Sequence, residues 1–269
     1  ARATRECGAR FVLDTSGALG VLVCSALGAP SAAGTRVVLP RVDASAPAAE
    51  LVDGTAAVRV HGLVVGRAQA DEDLVLVAAG ADGTTCWASV PAGKLSCREV
   101  EGIDPAACLA EVSGELTVDR GAWHSTASPW AEAVALARVA VGHELVGTMA
   151  AMLDLARQHA LDRVQFGRPI AGFQAVRHRL AESLVAIEVA RAALDGAWLD
   201  RSPTNSRIAK AACGHSARTV RRHCQQVLAG IGFTTEHDLH RHVRRSILLD
   251  GMFGGARSLT AELGAEVLA

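Results

Sequence analysis

Two textures of hydrophobic pattern divide the chain. Up to about residue 126, apolar positions come in short Val-, Leu- and Ala-rich runs separated by turn-forming residues. These predict extended segments at Thr35–Leu39, Ala56–Val65, Asp73–Ala79, Thr84–Val90, Leu95–Val100 and Leu109–Val118. Turn signals at Asp53-Gly54, Gly80-Ala81-Asp82-Gly83 and Pro91-Ala92-Gly93 punctuate them. The spacing leaves no room for crossover helices, so an antiparallel sheet or small barrel is expected rather than a βαβ array. Gly62, Gly66 and Gly80 suit tight turns and strand ends, and no Gly-x-Gly-x-x-Gly follows a strand. Ahead of this region, residues 10–28 read as a short helix or hairpin fragment, and Ala29–Gly34 as a Pro/Ala/Gly linker.

Beyond residue 127 the period becomes helical. Trp130 to Ala160 lacks proline and repeats Leu136, Val139, Leu145, Met149 and Ala156, with Ser128 the expected N-cap and Pro129 just inside the start. About 30 residues at 1.5 Å rise make a rod of roughly 45 Å. After a turn at Gly167-Arg168-Pro169, a second helix over about Gly172–Leu199 repeats Phe173, Val176, Leu180, Leu184, Ile187, Leu194 and Trp198. An Ala-rich third helix over about Ser206–Leu228 is ended by Gly230-Ile-Gly232. A fourth begins near Thr235 with Glu236 in its first turn, and Arg244–Leu268 is helical with a bend at Gly251 to Gly255. The expected class is α+β: a short N-terminal remnant (1–30), a small antiparallel β-domain (31–126) and an antiparallel four-helix bundle (127–269).

Charge sharpens this division. Lys and Arg total 27 against 28 Asp and Glu, a balance unlike that of a general nucleic-acid binder. Residues 1–130 carry net −5 and residues 131–269 net +4, which favours an anionic ligand on the bundle. Seven irregularly spaced cysteines do not form a disulfide framework and point to free thiols in the cytoplasm. The apolar stretch Leu19 to Leu27 is far short of the roughly 20 residues that span a bilayer, so no membrane insertion is expected.

Motifs for chemistry are few. Cys213-x-His215, His223-Cys224 and His240-x-His242 diverge on a helix, so no metal site is expected. The basic run His237, His240, Arg241, His242, Arg244 and Arg245 fits a solvated face, intersubunit salt bridges or contact with a phosphate-bearing ligand. Two segments, 163–176 and 225–236, interrupt regular helices with glycines and polar groups. Each suits a structural corner, or one where arginine and backbone amides grip a diphosphate.

Arg163-x-Gln-Phe-Gly-Arg-Pro-Ile-x-x-Phe-Gln-x-Val, followed by His178-x-Leu-Ala, resembles the bundle segment of the acyl-CoA dehydrogenase family. So does Gln226-x-x-x-Gly-Ile-Gly-Phe-Thr-x-Glu, followed by Leu239-His240-Arg241 and Arg244-Arg245. More loosely, Gly66-Arg-Ala-x-Ala-Asp71-x-Asp-Leu-x-Leu-Val77 is similar to the family's central domain. The resemblance covers roughly residues 35–269. It implies α,β-dehydrogenation of an acyl-CoA thioester, with hydride passing to FAD and electrons to an electron-transfer flavoprotein. It further implies that FAD lies between subunits, one holding the flavin ring and its neighbour's bundle gripping the diphosphate and adenine end. That grip falls on Arg163, Gln165, Phe166, Ile170, Phe173, Gln226, Val227 and Gly230, with Arg163 on the diphosphate and Gln226 hydrogen-bonded to it.

The departures from the family pattern select a role. The family's N-terminal helical domain is expected to be largely missing. The family's usual base position holds Gly254, in Phe253-Gly254-Gly255-Ala256, and the alternative position on the first bundle helix holds Ala137, before Arg138. Glu132 and Asp250 are displaced from these places. The flavin-contacting strand is not recognisable in Val37-Val-Leu-Pro-Arg41. No catalytic residue is therefore assigned. The resemblance implies a half-site subunit completed by a full-length acyl-CoA dehydrogenase-like catalytic chain, as in α2β2 heterotetramers of steroid side-chain degradation. Two alternatives stay open: a homo-oligomeric enzyme with a displaced base, Asp250 or Glu236, and a structural or regulatory bundle without cofactor.

Overall fold

In the computed structural model, residues 18–30, 36–52, 56–66, 68–80, 84–126 and 128–269 are described. The expected start of the 10–28 fragment, the linker at 31–34, Thr35, Asp53-Gly54, Arg67, Ala81-Asp82-Gly83 and Cys7 lie outside them. Helix α1 (Ala18–Leu27) precedes strands β1 (Arg36–Val37), β2 (Ala49–Leu51), β3 (Ala57–Val65), β4 (Asp73–Ala79) and β5 (Thr85–Pro91). Strands β6 (Ser96–Val100), β7 (Leu109–Thr117) and β8 (His124–Ser125) follow. They form one sheet in the order β6-β7-β3-β2-β4-β5-β8, with β1 also paired to β4. The sheet is antiparallel along most of this path, but β1 and β2 both run parallel to β4, making it mixed. Neither β2 nor β8 was foreseen, because two or three residues are too few to show an alternating pattern.

The sheet has two apolar faces. Val58, Val60, Val64, Leu74, Leu76 and Val112 pack into its own core. Leu63, Val65, Val75 and Val77 point the other way and join the core of the helices, which is why β3 reads as a nearly continuous apolar run. At Gly62 a Cβ would lie 2.4 Å from the Leu39 carbonyl oxygen and 2.6 Å from the Ala48 Cβ, so only glycine lets these backbones approach.

Helix α2 (Trp130–Asp162) is the spine of the second half. Its N-cap is Pro129 rather than Ser128, and the Trp130 N–H is instead met by the Thr85 hydroxyl at 3.4 Å. The Trp130 indole donates to the Ser45 carbonyl at 2.7 Å, so both ends of this residue are tied to the sheet side. By length and composition α2 is apolar enough to cross a membrane, with mean hydropathy 1.3 in its most apolar window, yet 56% of that window is buried inside the fold. It leads through the two-stranded hairpin β9 (Val164–Gln165) and β10 (Arg168–Pro169) to α3 (Gln174–Leu199). After a three-residue corner comes α4 (Pro203–Leu228), whose cap Ser202 accepts from the Asn205 N–H at 3.2 Å. Pro203 at its first turn starts it three residues before the expected Ser206.

Helix α5 (Leu239–Gly251) begins later than expected, so Glu236 stands in the preceding turn and not in its first turn. The expected bend falls at Met252 to Gly255, before α6 (Ala256–Leu268). Leu145, Met149 and Met152 of α2, Ile187 and Leu194 of α3, Val220 of α4 and Leu249 of α5 share one core. Each such side chain contributes about 1.5–3 kcal/mol by burial. Alanines 209 and 217 and Gly214 keep α4 thin enough to lie between its neighbours.

Candidate functional site

Short connections make the bundle run up and down, so α2 ends, α3 begins, α4 ends and α5 begins at one end of it. Both polar segments therefore meet there. The β9–β10 hairpin turns on Phe166 (φ 53°) and Gly167 (φ 77°), and the Ile170 N–H closes it by donating to the Arg163 carbonyl at 2.9 Å. Two successive positive φ values are the geometry of a tight primed turn, which asks for Asn-Gly rather than Phe-Gly. The result is that the Phe166 ring is held 91% exposed. It meets Phe173 edge-on at 6.0 Å, and the Arg168 guanidinium lies 4.4 Å over the Phe173 ring. Arg163 and Gln165 are exposed, while Ile170 and Phe173 are half-buried against the bundle.

The second segment follows the end of α4 as a 3-10 turn, Ala229–Phe233. Gln226 is exposed, Val227 turns inward to the core, and Gly230 lies at the surface. A Cβ at Gly230 would meet nothing within 4 Å, whereas one at Gly232 would press on the Leu228 Cβ at 2.9 Å. Gly232 is thus needed by the chain's own packing, and Gly230 leaves open backbone. His159, in the last turn of α2, lies within electrostatic reach of Arg163 and of His237, just past the second segment. Its pKa is lowered by burial and then by the charges of His237 and Arg163. Among the described residues, neither Arg163 nor Arg168 has a carboxylate within ion-pair distance. Unpaired guanidinium groups, an exposed aromatic ring and bare backbone suit a flat group that carries an anion.

The opposite end of the bundle holds the positions of the expected base. Ala137 is fully buried, and the neighbouring Arg138 Nε donates to the Phe253 carbonyl at 2.9 Å. Lys210, buried on α4, donates to the carbonyls of Asp250 (2.7 Å) and Gly254 (3.3 Å). Gly254 has φ 98°, and a Cβ there would lie 2.8 Å from the Leu259 Cδ2. The nearby carboxylates are engaged: Asp43 Oδ1 accepts from the Gly255 N–H and Ser258 Oγ, each at 2.9 Å, and Asp250 Oδ1 from the Ala256 N–H at 3.1 Å. Two buried cations thus hold a turn that carries no free carboxylate. This lock leaves little trace in the sequence. Its one signal is a lysine among small residues, Ile208-Ala-Lys-Ala-Ala212, on a face otherwise fit for the core.

The remaining candidates separate. Cys213 is buried while His215 is exposed and paired with Thr260 at 3.1 Å. His223 Nδ1 faces the Arg179 carbonyl at 3.2 Å, away from a metal-like arrangement with Cys224. Among the described residues no cluster of three His, Cys, Asp or Glu could hold a metal ion.

Residues 130–269 match the family model described as acyl-CoA dehydrogenase, C-terminal domain. The chain is similar to acyl-CoA dehydrogenase IpdE2 of Mycobacterium tuberculosis, 31% identical over 193 residues, which cover 72% of this chain and 57% of that protein. It is also similar to acyl-CoA dehydrogenase FadE34 of the same organism, 38% identical over 128 residues, or 45% of this chain and 18% of that protein. The chain thus spans 57% and 18% of the lengths of these two relatives. Its fold is shared with a chain of the ChsE4-ChsE5 complex from Mycobacterium tuberculosis, at TM-score 0.76 and 20% identity, covering 94% of this chain and 74% of that one.

Proposed function

The chain belongs to the acyl-CoA dehydrogenase family, and we propose that it supplies the diphosphate and adenine side of an FAD site to a catalytic partner subunit. The observation that carries this reading is the contrast between the two ends of the bundle. One end presents unpaired arginines, an exposed aromatic ring and open backbone. At the other, both places where the family puts its base are Ala137 and Gly254, which carry no carboxylate, and a Cβ at Gly254 would already press on Leu259.

In this reading Arg163 pairs with the diphosphate and Gln226 donates to it. Gln165, Phe166, Ile170 and Phe173 cover the non-flavin end. Val227 takes part through its backbone, since its side chain lies in the core, and Gly230 lets the ligand approach. FAD, when bound, supplies the hydride acceptor for α,β-dehydrogenation of an acyl-CoA thioester. This chain's own work is to hold charge and exclude water at the nucleotide end, while a full-length dehydrogenase-like chain brings the carboxylate and the flavin cradle. We take the assembly to be α2β2, its electron acceptor an electron-transfer flavoprotein, its location the cytoplasm, and a bulky steroid side-chain thioester its substrate class by family analogy. A displaced base gains no support: the Asp250 carboxylate caps α6, and Glu236 stands exposed at the nucleotide end.

The test is to purify the chain alone and together with such a partner, then measure bound flavin and acyl-CoA oxidation. The chain alone should be colourless and inactive, and the complex yellow and active. Arg163→Ala in the complex should weaken flavin retention about 10- to 100-fold, the loss of a hydrogen bond to a charged group. Strong oxidation by the chain alone overturns the reading.

A further inference from the structure

At the end of the bundle away from the nucleotide corner, α1, the start of α2 and the α3–α4 corner enclose a cavity of about 490 Å³. This is within the range of small-molecule sites. Neither the 163–173 hairpin nor the 253–255 turn lines it. Its floor is aliphatic, formed by Ala135, Leu136 and Val139 of α2 with Ala26 of α1.

The mouth is polar and braced. The Trp198 indole Nε1 donates to His143 Nε2 at 2.8 Å. Burial lowers the pKa of His143, against the pull of Asp195, which keeps its ring neutral and able to accept that bond. The Arg201 guanidinium lies 4.9 Å from the centre of the Trp198 ring, so a stacking contact rather than an acid holds it. Among the described residues, no carboxylate stands within ion-pair distance of Arg201. The adjacent Asp200 is occupied by Asn205 Nδ2 (2.7 Å) and the Ser202 N–H (3.1 Å). Glu132, also on the rim, stands in the first turn of α2. The N-terminus of α4 opens beside Arg201 and adds to the positive potential at the mouth.

We propose that this cavity binds a small amphipathic carboxylate, its aliphatic body on the Leu136 floor and its head group on Arg201. Arg201 is the one cation among the lining residues and shares the mouth with the Glu132 and Asp200 carboxylates, so the lining matches one negative charge at most and not a phosphate dianion. The site lies apart from the nucleotide corner.

Calorimetric titration of the full chain with decanoate and with 1-decanol tests it. Decanoate should saturate at one molecule per chain, and decanol should bind about tenfold more weakly, for want of a charge-assisted pair. Arg201→Gln, a surface change that leaves the core intact, should bring decanoate down to the affinity of decanol. Leu136→Trp fills the floor and should abolish binding of both, with thermal melts confirming that the variant is folded. Arg163→Ala should leave decanoate binding unchanged, which separates this site from the cofactor corner. Absence of decanoate binding, equal affinity for the alcohol, or unaltered binding to Arg201→Gln overturns the proposal.

Discussion

Lys210 shows how much a single residue in this bundle is governed by its surroundings. Its ammonium group reaches the Asp250 and Gly254 carbonyls inside the fold. Burial lowers its pKa from 10.5 to about 8, although Asp250 pulls the other way. Between those two values the unfolded chain binds more protons than the folded one, so stability rises with pH across that window. The buried thiols act with the opposite sign. Cys24, pushed up to about 11, and Cys213 and Cys224, pushed up to about 12, lose stability for the fold as pH climbs beyond 9.0. Urea midpoints of the native chain should therefore rise between pH 7.5 and 9, and Lys210→Met should lack that rise. Matching pH profiles for the two proteins would rule out the assignment. The variant should also be about 1–3 kcal/mol less stable throughout, since two carbonyls lose their donor. The sequence marks Lys210 only as a lysine among small residues, because its importance lies in which carbonyls α5 and the following turn bring to it.

At the scale of elements, the β9–β10 hairpin sets exposure against local stability. Phe166 holds a left-handed backbone that costs a non-glycine residue about 1–2 kcal/mol, while its ring is left almost wholly in solvent. Phe166→Asn matches the turn's preference and should leave the chain as stable or up to about 1 kcal/mol more so. The same change should weaken flavin retention in the complex with the partner. A fall in the unfolding midpoint would show instead that the ring's contact with Phe173 outweighs the backbone strain. This hairpin was legible as a turn from Gly167-Arg168-Pro169, but not as a pair of strands, because two residues a side carry no period. Long elements were easier to read. Asp73–Ala79 forms the expected strand and α3 ends at the expected Leu199, since many residues contribute to each pattern. Thr235 and Glu236 look like a helix beginning, yet α5 starts only at Leu239, whose N–H donates to His237 Nδ1 at 3.1 Å.

Across the whole molecule, a buried ionic group clasps sheet to bundle. Arg245 of α5 lies 2.5 Å from Asp104, in the loop before β7, and its Nη1 donates to Glu144 of α2 at 3.2 Å. All three side chains are buried. Arg245→Met removes the guanidinium that Asp104 and Glu144 share inside the fold and should cost about 3–5 kcal/mol. Removing the exposed Arg191–Glu188 pair should change stability by no more than about 0.5 kcal/mol. Chemical denaturation compares the two directly, and equal small effects would show that the clasp is not structural. The sequence by itself determined the change from strand to helix texture near residue 127, the order of long elements and the two polar segments, because periodicity and motif spacing are local properties of the chain. Its charge asymmetry also pointed to an anion on the bundle. Only the tertiary structure decided that both segments share one end, that Val227 faces inward, and that buried cations close the turn at Gly254. Those outcomes depend on how helices distant in sequence pack side by side, and no local pattern records which side chain fills the space between them.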